Sequence, residues 1–154
     1  MIQEKENAMK VIGRIVIVIA LTVVVVPWFT DCESQGNAIV LPNGQTIPMR
    51  CHWTGKAEWA AAGPLAAVGV LMLLAQRRET LRALSIVSIV LGVFVILLPT
   101  VLIGVCSSEL MLCSMVMKPT LVMAGILTVA TSLAGLLLSR QVAFSTLVTE
   151  TDAR

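Results

Sequence analysis

Charge is what this sequence has least of. Only 13% of its 154 residues are charged and 57% are hydrophobic, whereas an ordinary soluble domain is about 25% charged. The charges fall in short clusters that leave long stretches without any. The composition therefore predicts an integral membrane protein. Its net charge of +2, without a continuous basic face, gives no reason to expect nucleic-acid binding.

The sequence lacks the residue patterns that are typical of several activities. There is no glycine-rich phosphate loop, so we do not expect the chain itself to use ATP. The single histidine, His52, cannot support a histidine-rich metal site. No Cys-x-x-Cys pair is present, although thiol oxidases and zinc sites commonly use one. No long apolar run carries a charge at its middle, which argues against an ion-coupled transporter acting alone. We therefore expect no enzymatic activity.

Four apolar runs are long enough to cross a bilayer, since about 20 residues span a hydrocarbon core of roughly 30 Å. They cover residues 11–29, 57–75, 83–105 and 119–138. The alternation typical of membrane β-barrels is absent. The first run ends without a small-residue cleavage site, so we expect it to be retained as a helix. The expected fold class is an all-α integral membrane bundle of four transmembrane helices.

The basic residues predict the orientation of these helices. Arg50, Lys56 and Lys118 lie on one side of the predicted membrane, and the other eight Lys and Arg residues lie on the opposite side. Because cytoplasmic segments carry the excess of Lys and Arg, both termini are expected in the cytoplasm, including the tails 1–10 and 141–154. The loops that bear the four cysteines would then be extracytoplasmic, on a multi-pass protein of the cell membrane.

The sequence contains a short internal repeat. Residues 49–56 read MRCHWTGK, and 62 positions later residues 111–118 read MLCSMVMK. Each half also has a helix with a late proline, followed by a cysteine. These features predict two parallel helix-loop-helix repeats, 11–75 and 83–138. With the same offset, a set of first-half residues aligns with a set in the second half: Met49, Cys51, Lys56, Gly63 and Leu65 with Met111, Cys113, Lys118, Gly125 and Leu127.

The first external loop contains a hairpin signal. Asn43-Gly44 lies between two short β-prone runs and favours a type I′ turn, in which both central residues have positive φ. A turn centred there would pair Ala38 with Met49 and bring Cys51 close to Cys32. Together with the repeat, this favours the disulfides Cys32–Cys51 and Cys106–Cys113 on the oxidising side of the membrane.

The same sulfur atoms allow two other interpretations. Soft ligands cluster at one membrane face and would suit copper or iron, although such a site would compete with the disulfides for sulfur. A quinone-coupled thiol–disulfide oxidoreductase is the second alternative, with external cysteines that exchange disulfides outward. The candidate metal ligands are Met49, Cys51, His52, Cys106, Met111, Cys113 and Met115. No resident cofactor is expected if the cysteines are bridged.

The stretch TGKAEW (54–59) is typical of a helix start at the membrane interface. Thr54 is predicted as the N-cap and Glu58 as a first-turn acid that complements the helix dipole. Trp53 and Trp59 suit the interfacial aromatic belt. An ionisable residue at the start of a span is costly unless it is paired. Three nearby basic residues are candidates for pairing with Glu58: Lys56, His52 and Lys118.

The runs MRCHWTGKAEW (49–59) and CSSELMLCSMVMKP (106–119), with the four-span layout, resemble a prokaryotic membrane protein family catalogued as domain-of-unknown-function family 4418. The resemblance implies an association with bacterial ABC-type permeases of the macrolide-exporter or lipoprotein-release class, and with metal uptake. The expectation is a non-catalytic accessory subunit that docks on a permease and its ATPase through its helices and disulfide-pinned loops.

Overall fold

The computed structural model describes the backbone of residues 2–30, 36, 39–75, 77–105 and 113–152. Side chains are described for residues 7, 10–30, 36, 39–75, 77, 79–105 and 113–138. Within this part the chain forms four α-helices, one two-stranded sheet and two π-helical segments. In chain order they are α1 (Ile2–Thr30), β1 (Ile39–Val40), β2 (Thr46–Ile47), α2 (Arg50–Leu74), α3 (Arg78–Leu97), the first π-helical segment (Leu98–Leu102), the second π-helical segment (Cys113–Met117) and α4 (Lys118–Asp152).

Four helical stretches within the described residues are long and apolar enough to cross a membrane. They are Lys10–Thr30, Arg50–Leu74, Glu79–Leu102 and Cys113–Leu138. The chain is a multi-pass membrane protein with a mostly helical fold, as the sequence predicts. α1 and α4 extend beyond their predicted spans and continue through much of the segments that were expected to be tails. Likewise, α2 begins at Arg50, before the predicted start of its span.

The helices pack as two hairpins, α1 against α2 and α3 against α4, and the hairpins meet through the pairs α1–α4 and α2–α3. Glycines allow close approach within each hairpin. A Cβ atom built on Gly69 would lie 3.2 Å from the carbonyl oxygen of Gly13, and one built on Gly125 would lie 2.8 Å from that of Gly92. Larger residues at Gly69 or Gly125 would therefore force the paired helices apart.

The two hairpins bury corresponding faces. Most buried residues of α1 have buried counterparts 72 positions later, in α3 and the first π-helical segment, as in the pairs Val23 with Val95 and Pro27 with Pro99. Beyond the second π-helical segment, the buried residues of α2 recur in α4 63 positions later, rather than at the offset of 62 that aligns the cysteines. The pairs include Ala61 with Ala124, Ala62 with Gly125, Leu65 with Thr128 and Gly69 with Ser132. A π-helical turn holds one residue more than an α-helical turn, which accounts for the change of offset.

The predicted hairpin is present, but its turn differs from the expected type. β1 and β2 pair antiparallel with Ile39 opposite Ile47, so the predicted register of Ala38 with Met49 is wrong by one residue. Gly44 has φ +79°, whereas Asn43 does not have positive φ. The backbone N–H of Gly44 donates to Leu41 O at 2.9 Å. This is a type I turn closed by a left-handed glycine. Pro42, which fixes the φ of the first central residue, favours it over type I′.

Candidate functional site

Most of the residues singled out from the sequence lie at one end of the bundle. This end, called the hairpin end below, carries the β-hairpin, the ends of α1 and α3 and the starts of α2 and α4. Here α2 begins at Arg50 with Met49 as its N-cap residue. The prediction that Thr54 is the N-cap is wrong, because Thr54 lies inside the helix and is fully buried. Its hydroxyl donates to the carbonyl oxygen of Gly104 at 2.6 Å, and this bond ties α2 to the chain that follows α3.

Glu58 occupies an unexpected environment. It lies in the third turn of α2, not the first, and 0% of its surface is exposed. Neither carboxylate oxygen has a hydrogen-bond partner among the described residues. The predicted pairing with a nearby basic residue is therefore not formed. Lys56 instead lies 5.3 Å from the centre of the Trp59 ring, and Lys118 is exposed.

Aromatic residues gather around the start of α2. Trp28 of α1 stacks on Trp59 with ring centres 5.0 Å apart, and Trp59 Nε1 donates to the carbonyl oxygen of Val24 at 3.1 Å. The ring of His52 meets that of Trp53 edge-on at 5.9 Å. Trp28 was not among the predicted site residues. Its position beside Pro27, at the end of the first apolar run, is the signal that could have found it.

The described cysteines lie inside the bundle. Cys51 and Cys113 are both buried and belong to one hydrophobic cluster with Met117. Met117 was also not predicted, although its spacing of four residues from Cys113 places both near one helical face. Among the other predicted sulfur ligands, Met49 is half-buried and Met115 is exposed. The residues Cys32, Cys106 and Met111 lie outside the described part, so both predicted disulfides stay predictions.

No group of three His, Cys, Asp or Glu residues that could hold a metal ion occurs within the described part of the chain. The buried hydroxyls of the second hairpin form hydrogen bonds inside it. Ser132 donates to Ser88 at 2.8 Å, Ser85 donates to Leu81 O, and Thr128 donates to Ala124 O. The bond between Ser132 and Ser88 joins α4 to α3, whereas the other two lie within one helix, so these buried hydroxyls are used in packing.

The chain that forms these four spanning helices and the hairpin end also matches a known protein family. The family described as "Domain of unknown function (DUF4418)" matches residues 6–138. The chain belongs to the DUF4418 family. The resemblance noted from the sequence is thus confirmed over most of the chain. Comparisons with curated proteins and with solved structures gave no significant match. Because the family description assigns no activity, the function of this DUF4418 member has to be argued from its geometry.

Proposed function

We propose that this DUF4418 protein is a non-catalytic accessory subunit of a bacterial ABC-type transport complex in the cell membrane. In this proposal both termini are cytoplasmic and the hairpin end faces outward. The supporting observation is the outer face of α2. Four small or short residues follow one another along this face, and all of them are exposed: Ala60, Gly63, Pro64 and Ala67.

The second half of the chain provides an internal comparison. The corresponding residues of α4, 63 positions later, are Met123, Ile126, Leu127 and Ala130, and they are exposed as well. Since both halves bury the same faces, internal packing does not require small residues on the outside of α2. Small side chains allow a neighbouring transmembrane helix to approach closely, whereas large apolar side chains suit lipid. The contrast supports the docking of a permease helix on α2.

The hairpin end supports the same proposal. Ile39, Val40 and Ile47 of the two short strands are 52%, 69% and 47% exposed. An exposed apolar pair of strands is typical of a surface that another protein covers. In the proposed orientation, this surface would meet the outer domain of the permease or an extracellular substrate carrier.

The cysteines favour this proposal over an oxidoreductase. Disulfide exchange requires a sulfur atom that the partner thiol can reach. Cys51 and Cys113 are 0% and 1% exposed within a hydrophobic cluster. Their burial supports a structural role for both residues.

The test is copurification from native membranes in a mild detergent. A permease and an ATPase subunit should copurify with the tagged wild-type protein. Ala67→Leu places a bulky side chain on the outer face of α2, and we expect it to reduce recovery of the permease about tenfold, equivalent to about 1.4 kcal/mol. Ala130→Leu, the matched change on α4, should leave recovery unchanged.

Two outcomes would count against the proposal. Purification of the wild-type protein without any permease or ATPase would overturn the accessory role. Equal recovery of the permease with Ala67→Leu and Ala130→Leu would show that α2 is not the docking helix.

A further inference from the structure

The buried carboxyl of Glu58 has no counter-charge in its own chain. At the hairpin end the sequence contains one histidine and three Lys or Arg residues, and the residues in positions 31–35, 37–38 and 106–112 include none of these types. The three Lys and Arg residues are exposed, and neither oxygen of Glu58 has a hydrogen-bond partner among the described residues. Any neutralising group must therefore come from outside the chain.

A proton alone satisfies only one of the two oxygens of this carboxyl. The O–H of a protonated carboxyl can donate to a neighbouring oxygen, but the other carboxyl oxygen is an acceptor, and a buried acceptor left without a donor is unfavourable. An ionised carboxylate that is removed from water needs a counter-ion even more. A bound cation would satisfy both oxygens at once.

Neutral oxygen atoms lie on the same side of α2 as Glu58. Helical side chains lean toward the N-terminus, so the Glu58 side chain extends over the turn that contains Thr54 and Gly55. The Thr54 hydroxyl donates to the carbonyl oxygen of Gly104, and its own lone pairs can still accept. Beside this turn lies Pro27, whose Cβ would be 3.2 Å from a Cβ built on Gly55.

Pro27 frees a further oxygen. Because proline has no backbone N–H, the carbonyl of Val23 receives no helical hydrogen bond from residue 27. Val23 is fully buried on the face of α1 that meets the core cluster. In membrane transporters, backbone carbonyl groups that are not used in helical hydrogen bonds, those of unwound helix segments, coordinate Na⁺.

The second half of the chain shows that packing does not require an acid here. The position 63 residues after Glu58 is Leu121, which is also fully buried. A leucine thus fills the corresponding buried position of α4. Glu58 places an ionisable carboxyl at a position that an apolar side chain could fill. One carboxylate with neutral oxygens matches a single positive charge, whereas the Ca²⁺ and Zn²⁺ sites of proteins usually recruit several charged or strongly donating side chains.

We propose that Glu58 binds a small monovalent cation of the sodium type at the hairpin end of the bundle, with oxygens of Thr54 and Val23 as neutral ligands. The site does not depend on the transport role proposed above, and it is tested on the purified full-length protein without a partner.

The experiment is thermal unfolding of the protein in detergent, in NaCl and in choline chloride at equal ionic strength. Sodium should raise the midpoint of the wild-type protein by roughly 5 °C when it exceeds its dissociation constant about 100-fold. Glu58→Gln should abolish the sodium-dependent rise. Glu79→Gln, which removes an exposed acid of α3 at the other end of the bundle, should retain it.

Glu58→Leu is a second variant, since it copies the residue of the corresponding position and should fold even if the amide is not tolerated. Its midpoint should not respond to sodium. A wild-type midpoint that is the same in NaCl and choline chloride would overturn the proposal, because the carboxyl would then bind no sodium. A sodium response that persists in both Glu58 variants would also overturn it.

Discussion

At the scale of single residues, the start of α2 shows how one turn of helix changes the role of a side chain. The sequence places a polar cap at Thr54, but the helix begins one turn earlier, after Pro48. Proline disfavours helical conformation in the residue before it and is common near helix starts, so Pro48 marks the boundary. Thr54 therefore lies inside the helix, and its hydroxyl donates to the carbonyl oxygen of Gly104 across the bundle.

Replacing Thr54 by Val should destabilise the protein by about 1–2 kcal/mol, because the part-buried carbonyl of Gly104 loses its donor while the shape of the side chain is kept. The measurement is the denaturation midpoint of the purified protein in detergent.

Thr22→Val is the matched control. The Thr22 hydroxyl donates only within its own helix, to Val18 O, at an exposed position. Its loss should change the midpoint little. An equal effect of both substitutions would mean that the bond between Thr54 and Gly104 contributes nothing specific.

At the scale of helices, the two halves match in packing but not in sequence register. The alignment by cysteines pairs Gly63 with Gly125 and Leu65 with Leu127, yet in each pair one residue is exposed and the other buried. The cause is the second π-helical segment, which adds one residue between Cys113 and the body of α4. Periodicity alone cannot reveal such an insertion.

This difference gives a paired prediction. Gly125→Ala should destabilise the protein by about 1–3 kcal/mol, because the new methyl group would press on Ile96 and on the backbone of Gly92. Gly63→Ala should be neutral or slightly stabilising, since a Cβ there meets nothing within 4 Å. The measurement is the thermal unfolding midpoint of each variant. Similar decreases of the midpoint for both variants would contradict the packing described for α4.

At the scale of the whole molecule, composition and run length were enough to predict four spanning helices, since both report directly on burial in lipid. The hairpin between Leu41 and Gln45 was also predictable, but its register was not, because Pro42 decides between turn types that Asn43-Gly44 alone leaves open. The burial of Glu58 was not predictable. It depends on which face of α2 meets the other hairpin, and this in turn depends on where α2 begins.

The position of Cys51 and Cys113 at the same end of the molecule leads to a further prediction. If this end faces the oxidising side of the membrane, the four cysteines should be bridged as Cys32–Cys51 and Cys106–Cys113. Alkylation of the denatured protein should then add no mass without a reductant and four adducts after reduction. Adducts on the unreduced protein would show that the bridges are incomplete.

The chain has three tryptophans and no tyrosine, and all three tryptophans lie at the hairpin end. Its intrinsic fluorescence therefore comes almost entirely from one end of the bundle. Trp28, which stacks on the half-buried Trp59, is 60% exposed, and Trp53 is 59% exposed. Quenchers placed at different depths of a bilayer would thus locate this end relative to the lipid without any label, and the emission spectrum would respond when a partner covers Trp53.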